Sequence, residues 1–177
     1  LGAPLSFLDH HLKCGNSLIG TNLEALESAT KSTLFKVNME PLNRAIKNML
    51  FISSISDATY QQVKESEQKY KHVNKSIFGY RLLLDVVISD YFGIKFGTGG
   101  HKENLLIRLS TSDLDNIQKC IGTLTKVDKK IVDDIEILAK ENQFFHWEIE
   151  FPEVFFERVG ALEQKVEKKE NPGFDCV

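Results

Sequence analysis

The segment that most constrains the fold is the apolar stretch from Ile77 to Phe92. Its apolar residues recur on nearly every side of a helix instead of along one stripe, and Gly93 follows directly. A helix that is apolar all round belongs in the interior of a protein. The sequence therefore predicts a helical bundle built around a central helix over 77–92, which Gly93 ends.

Amphipathic patterns with apolar residues at spacings of three and four surround this segment. Several begin with a residue suited to the first turn or the cap of a helix, such as Pro41. The predicted helices are a short one over 22–28, one from Glu40 to Leu50, a long surface helix from Tyr60 to Ile77 capped by Ser56 or Asp57, one over 114–121 capped by Ser112 or Asp113, and one over 128–138.

Three short patterns predict strands. They lie over 12–14, over the alternating segment from Phe144 to Phe151, and from Phe174 to Val177. The glycine-rich residues 93–104 are predicted to form a loop, and the Lys/Glu run from Glu163 to Glu170 a solvated flank. Because helical patterns outweigh strand patterns, the expected fold is mainly α with short strands.

Charge, hydropathy and cysteine usage exclude several classes of protein. With 25 acidic and 22 basic residues and a net charge of -3, the chain lacks a strongly basic nucleic-acid footprint on average. No apolar run approaches the roughly 20 residues that a membrane span needs. Cys14, Cys120 and Cys176 lie far apart, which fits neither a disulfide framework nor a zinc ribbon. We therefore expect a cytoplasmic protein with no membrane partner.

Two clusters raise the question of a metal or phosphate site. His10, His11 and Cys14 are close in sequence, but adjacent histidines on a strand point to opposite faces and no fourth ligand follows at a usual spacing. The glycines of 97–100 lack the spacing and the preceding strand of a phosphate-binding loop. We predict neither a metal site nor a phosphate loop here.

Other chemistry-bearing residues favour structural roles. Glu148 and Glu150 could form an acid pair, but on a strand they share one face, which we expect to be its solvated side. Cys120 has no nearby histidine and is expected to pack. Trp147 is expected to be buried rather than to stack on a DNA base. The basic residues of the long helix are interleaved with acids and favour a solvated face, and they are Lys64, Lys69, Lys71, His72 and Lys75.

The two ends of the chain together resemble one family. The segments PLSFLDHHLKCGNSLIG at the start, and FFHWEIEFPEVFFE and GFDCV at the end, are similar to adenine-specific DNA methyltransferases. These are the large restriction-modification enzymes of type IIG and the related enzymes of phage-exclusion systems. In that family the GDSL or GNSL turn closes the third strand of an α/β sheet, and a helical insertion can follow. The strand written FD-x-hydrophobic then leads into the catalytic Asn-Pro-Pro-Tyr or Asn-Pro-Pro-Phe motif.

The resemblance implies a cofactor and three residues that bind it. Asn16 matches the position, usually Asp, that accepts a hydrogen bond from the adenine amino group of S-adenosylmethionine. Ser17 and Leu18 match neighbours that line the adenine pocket. The sequence Asn171-Pro172-Gly173-Phe174 looks like the catalytic tetrapeptide but precedes a predicted strand instead of following one, so we interpret it as a turn. No catalytic residue is assigned to this chain.

The resemblance also implies a division of the chain. Residues 1–27 would end the cofactor-side motif, 28–142 would be the helical insertion, and 143–177 would be the return toward the catalytic motif. Because the chain begins with Leu1 and ends before Asn-Pro-Pro, we expect it to be an inactive piece of a longer enzyme, with DNA and the rest of that polypeptide as partners. The alternative is a free-standing helical module that binds protein or DNA without catalysis.

Overall fold

The computed structural model describes residues 12–30, 39–54, 59–160 and 165–174. Over these ranges the chain is mainly helical, with short strands, which confirms the predicted fold class. No helix in the described ranges is long and apolar enough to cross a membrane. The helices are α1 (Leu23–Thr30), α2 (Glu40–Ser54), α3 (Tyr60–Ile88), α4 (His101–Ser110), α5 (Ile117–Thr123), α6 (Lys126–Glu141), α7 (Trp147–Glu150) and α8 (Pro152–Phe155).

Helix α3 is the centre of the bundle and packs against α1, α2, α4 and α6. Every residue from 82 to 89 is buried, so the predicted central helix is confirmed. The predicted boundary near Ile77 is wrong, because α3 is one continuous helix of 29 residues. The change from a one-sided to an all-round apolar pattern marks the point where the helix enters the core, and the sequence has no proline there to break it. A 3₁₀ turn, Ser89–Phe92, extends α3 to Gly93.

The start of α3 is fixed by a capping box. The Thr59 hydroxyl accepts a hydrogen bond from the Gln62 amide at 3.3 Å, and Gln62 Oε1 accepts one from the Thr59 amide at 2.9 Å. Each bond satisfies a main-chain N–H that the first helical turn leaves without a partner. The predicted caps, Ser56 and Asp57, lie outside the described residues.

Helix α4 was not predicted, because the glycines before it led us to extend the loop to residue 104. The loop ends at Gly100, and the leucines of α4 then supply a buried face: Leu105, Leu106 and Leu109. The next predicted helix begins as a 3₁₀ turn, Leu114–Asn116, which packs closely on α3. A Cβ on Gly79 of α3 would lie 2.6 Å from the Leu114 carbonyl oxygen, so this crossing requires glycine.

A buried carboxylate, Asp128, joins α4 to the start of α6. It accepts hydrogen bonds from His101 Nε2 at 2.7 Å, Arg108 Nη1 at 2.8 Å and the Thr125 hydroxyl at 2.9 Å. The Thr125 hydroxyl in turn caps α6 by accepting from the Asp128 amide. Burial by itself would raise the pKa of Asp128, but these hydrogen bonds and the neighbouring charges hold it below its ordinary value.

The strand predictions are wrong in place. Residues 12–14 have no regular structure, and the segment from Phe144 to Phe151 forms the short helix α7 between irregular residues. The alternation of apolar and polar residues in this segment does not separate a buried from a solvent-exposed face, because Glu148 and Glu150 are buried as well. The observed strands are β1 (Phe156–Val159) and β2 (Lys165–Lys168), an antiparallel pair that includes part of the predicted solvated flank. Phe174 is not in a strand, and 175–177 lie outside the described residues.

Candidate functional site

Residues 15–22 and 143–148 lie side by side, although their contacts span about 125 positions of sequence. The Asn16 amide donates to the Gln143 carbonyl at 2.7 Å, and the Phe145 amide donates to the Ile19 carbonyl at 2.7 Å. We call this contact the motif junction. It brings the Gly-Asn-Ser-Leu turn against the Phe-His-Trp segment, the two sequences on which the family resemblance rests.

Two glycines allow the main chains of the junction to approach. A Cβ on Gly20 would lie 1.9 Å from the Phe145 carbonyl oxygen, and a Cβ on Gly15 would lie 2.2 Å from the Phe145 ring. The first contact is with main chain, which cannot move without disturbing the Phe145 to Ile19 hydrogen bond. The glycines on either side of the turn therefore serve close packing across the junction.

His146 connects the junction to the central helix. Its Nδ1 accepts a hydrogen bond from the Thr21 amide at 3.1 Å, and its Nε2 lies 2.9 Å from Asp85 Oδ1. Because the amide can only donate, this pattern assigns the neutral tautomer in which Nε2–H donates to Asp85. His146 is 1% exposed. The ring therefore bridges a loop and α3 in the interior of the chain.

Asp85 is the one acidic residue in the buried half of α3. Burial raises the pKa of its carboxyl, and the hydrogen bond with His146 and the charge of Arg81 offset only part of that effect. A carboxylate in this position costs stability unless it is paired. The pairing with His146 thus explains why an otherwise apolar helix carries an acid here.

Glu148 fixes the start of α1 against α7. Its Oε2 accepts the Leu23 amide at 2.8 Å, which supplies an N-terminal main-chain donor of α1 with a charged acceptor. Its Oε1 accepts from Lys168 Nζ of β2 at 2.6 Å. The predicted solvated position of Glu148 is wrong, because this acid is a buried structural link between three elements.

Glu150 makes a second buried ion-pair cluster. Arg81 donates to Glu150 Oε1 through both Nε, at 3.0 Å, and Nη2, at 2.5 Å, and Lys13 Nζ lies 3.7 Å from Oε2. One carboxylate is thereby shared by a residue of α3 and a residue that precedes the turn. Glu148 and Glu150 do not face one another as an acid pair for catalysis, since each is committed to different cations.

An aromatic cluster covers the outer side of the junction. The Trp147 ring packs edge-on against Phe145, at a centroid distance of 4.9 Å, and against Phe174, at 5.3 Å. Phe174 also packs against Phe151 at 5.4 Å. The Trp147 indole N–H donates to the Ser17 carbonyl at 3.0 Å. Trp147 is half-buried in this cluster, so its predicted burial is only partial, and its segment is not a strand.

The three predicted cofactor residues form the turn at the tip of the junction. Asn16 is half-buried, and its Oδ1 accepts the Leu18 amide at 3.2 Å, which closes the turn. Ser17 is exposed, and the Leu18 side chain is 91% exposed. Ser17 and Leu18 border a cleft of about 640 Å³ that Trp147 and Lys168 also line. An exposed leucine beside a polar turn offers an apolar surface to a flat ring.

Of the other candidates from the sequence, the Asn171–Phe174 segment reaches this site, whereas the glycine loop and Cys120 lie elsewhere. No group of histidine, cysteine and carboxylate side chains within the described ranges could hold a metal ion, and His10 and His11 lie outside those ranges. Gly99 and Gly100 belong to the loop before α4. Cys120 is partly buried against the core, with its Sγ 3.9 Å from the Arg108 carbonyl. Asn171 to Phe174 is irregular, and Pro172 lines the cleft.

Sequence reasoning missed His146 and Asp85 as partners. The signal available was an aspartate in the middle of an apolar helix, which needs a buried donor, and a histidine within an aromatic segment. Neither sequence feature identifies the other. No family model matches the chain, and no curated protein or solved structure is significantly similar to it. Function is therefore inferred from the motifs and the geometry of the junction.

Proposed function

We propose that this chain is part of a site-specific DNA methyltransferase of restriction-modification or phage defence, which transfers a methyl group from S-adenosylmethionine to the exocyclic amine of adenine. The chain contributes the cofactor-side turn and a helical insertion, and the catalytic Asn-Pro-Pro motif belongs to the rest of the polypeptide. The enzyme acts in the cytoplasm on DNA. The isolated chain is inactive.

The observation that carries this proposal is the motif junction. Three segments resemble the family, and in the described part of the chain all three meet: the turn at Asn16, the segment around Trp147, and Phe174. A helical insertion must leave a sheet and return to it at neighbouring points. The contact between segments about 125 positions apart supports that arrangement. A free-standing helical module has no need to join these motifs.

The turn fits one edge of the cofactor. Asn16 Oδ1 already accepts the Leu18 amide, but an amide oxygen has a second lone pair and can also accept from the adenine amino group. The exposed Leu18 would contact the adenine ring, and Ser17 would border its pocket. When bound, S-adenosylmethionine supplies the methyl group. The residues of this chain orient its adenine and carry no part of the methyl transfer.

Cofactor affinity tests the proposal. In the polypeptide encoded by the complete reading frame, Asn16→Ala removes the acceptor and should weaken S-adenosylmethionine binding by about 1–3 kcal/mol, the cost of an unpaired buried donor. Asn16→Asp keeps an acceptor and should bind at least as well as wild type. Asn104→Ala, an exposed asparagine on α4, is the matched control.

Calorimetric titration of these four proteins gives the dissociation constants directly. Equal affinity for wild type and Asn16→Ala would remove Asn16 from the cofactor site. Absence of any cofactor binding, in a reading frame without Asn-Pro-Pro-aromatic downstream of Val177, would favour the free-standing helical module. We expect the isolated 177-residue chain to bind S-adenosylmethionine negligibly, because it holds only the Asn16 edge.

A further inference from the structure

A cleft of about 640 Å³ lies between α3 and the 3₁₀ turn at Leu114–Asn116, away from the Ser17 turn. Its basic side chains are Lys13, Lys75 and Arg81, and none of the lining residues that the structure describes is a carboxylate. The chain as a whole carries a net charge of -3, so the overall charge does not account for a group of basic side chains in this cleft. Cations on a concave surface raise the local concentration of anions.

The interior cations of the cleft are held in place. Glu150 pairs with both Arg81 and Lys13, and Lys13 also donates to the Tyr70 hydroxyl, whose ring it overlies at 4.9 Å. Glu150 and the neighbouring Asp85 balance these two cations, so the net positive charge of the cleft comes from the exposed Lys75 at its rim. Fixed cations bind an anion without the entropy loss of ordering long side chains.

The remaining wall is rich in amides and rings. Asn74 and Gln118 carry amide groups that can donate to phosphate oxygens, whereas the Asn116 amide nitrogen already donates to Asp113 Oδ2 at 2.7 Å. Phe78, which is 36% exposed, supplies an apolar wall. Proteins contact the DNA backbone through this mixture of basic and neutral polar donors. Lys69 and Lys71 of α3 pair with Glu65 and Glu67 and are not among the residues that line the cleft.

We propose that this basic cleft binds the sugar-phosphate backbone of DNA. The choice of DNA over another polyanion rests on the proposed function, whereas the phosphate chemistry rests on the cleft itself. The helical insertion would then grip the duplex outside the methylation site and contribute affinity without reading the sequence.

Fluorescence anisotropy with the full 177-residue chain and a labelled 20-base-pair duplex tests this inference. Non-specific binding of this kind has a dissociation constant of about 10⁻⁴–10⁻⁶ M and weakens steeply with salt. Lys75→Ala should weaken binding by about 3–10-fold and lower the slope of log affinity against log salt by about 1. Circular dichroism of each variant checks that the helices remain.

Lys64→Ala is the matched control, because Lys64 is exposed on the same helix and outside the cleft. It lies about 16 Å from Lys75 along the helix axis, which exceeds the screening length of about 10 Å at 0.1 M salt. Its affinity and salt slope should match wild type. Equal losses in both variants, no binding at low salt, or tighter binding of an RNA duplex of the same length would overturn the inference.

The outcome is independent of methylation. If the 177-residue chain binds DNA through Lys75 while the complete polypeptide transfers no methyl group, the proposed function fails and the basic cleft stands. If methyl transfer is found and Lys75→Ala binds DNA like wild type, the cleft assignment fails alone.

Discussion

Replacing His146 with alanine removes the partner of a buried carboxylate and should destabilise the chain strongly at neutral pH. His146 is 1% exposed, and it lies 2.9 Å from Asp85 Oδ1. Because the His146 ring is neutral, its removal takes a hydrogen bond from a buried carboxylate, which costs about 1.5–3 kcal/mol. The loss of folding stability has an upper limit, because Asp85 can take up a proton instead of remaining charged and unpaired.

The upper limit on this loss of stability follows from the ordinary aspartate pKa of 3.8. At 1.36 kcal/mol per pH unit, protonating such a carboxyl costs about 4 kcal/mol at pH 7 and about 1.6 kcal/mol at pH 5. Burial already raises the pKa of Asp85, and loss of His146 raises it further. The penalty is therefore fully present above the folded-state pKa and is relieved as the pH falls. The stability deficit of His146→Ala should shrink from pH 7 to pH 5.

Urea titrations of wild type, His146→Ala, Asp85→Asn and the double variant measure the coupling between the two residues. Asparagine keeps an oxygen that accepts the hydrogen bond from Nε2–H of His146, but it has no charge that would be left unpaired when His146 is removed. We expect a coupling energy of about 1–3 kcal/mol at pH 7, below the upper limit set by protonation of Asp85. A coupling below about 0.5 kcal/mol, or equal deficits at both pH values, would show that His146 does not stabilise a buried Asp85 carboxylate.

Three further predictions concern stability. Gly20→Ala should cost about 1–3 kcal/mol in denaturant titrations, because its Cβ meets the Phe145 carbonyl, whereas Gly122→Ala, with no atom within 4 Å of its Cβ, should cost nothing. Equal effects would contradict the close approach. Thr59→Ala should lower the free energy of unfolding by about 1 kcal/mol, and an unchanged melting temperature would argue against the capping box. Asp128 has a lowered pKa, so the stability that it contributes is present above about pH 4 and is lost as the pH falls further. In Asp128→Asn the free energy of unfolding should therefore decrease less steeply below about pH 4 than in wild type. An unchanged pH dependence would contradict the role of Asp128.

Much of the fold follows from hydrophobic periodicity. The apolar surroundings of Leu83 and Val87 predict a buried helix, and the structure confirms it. The pattern of Ile131, Ile135 and Leu138 likewise predicts α6, although in the structure Val132 and Ile135 are the buried apolar residues of that helix. Periodicity could not show that α3 is continuous, since a helix that passes from surface to core changes its pattern without a break. Periodicity also gave a wrong prediction for Glu148. Alternation shows which residues share a face of a segment, but it does not show which other parts of the protein pack against that face.

The candidate site was predicted only in its local part. The turn at Asn16 follows from Gly15 and from the resemblance, and its residues lie together because they are adjacent in sequence. The contact with Gln143 and the pairing of His146 with Asp85 depend on long-range packing that a single sequence does not encode in any local pattern. The basic cleft is of the same kind, since Lys13 and Lys75 come from distant segments.

The proposed function requires that the complete polypeptide transfers a methyl group to adenine in DNA, and this activity can be measured. The polypeptide encoded by the complete reading frame is incubated with duplex DNA and S-adenosylmethionine that carries an isotopically labelled methyl group, and the nucleosides are separated and counted. We expect label in N6-methyladenine, reduced in the Asn16→Ala variant at sub-saturating cofactor and retained in Asn16→Asp. No label in adenine, or label in cytosine alone, would contradict the proposed function.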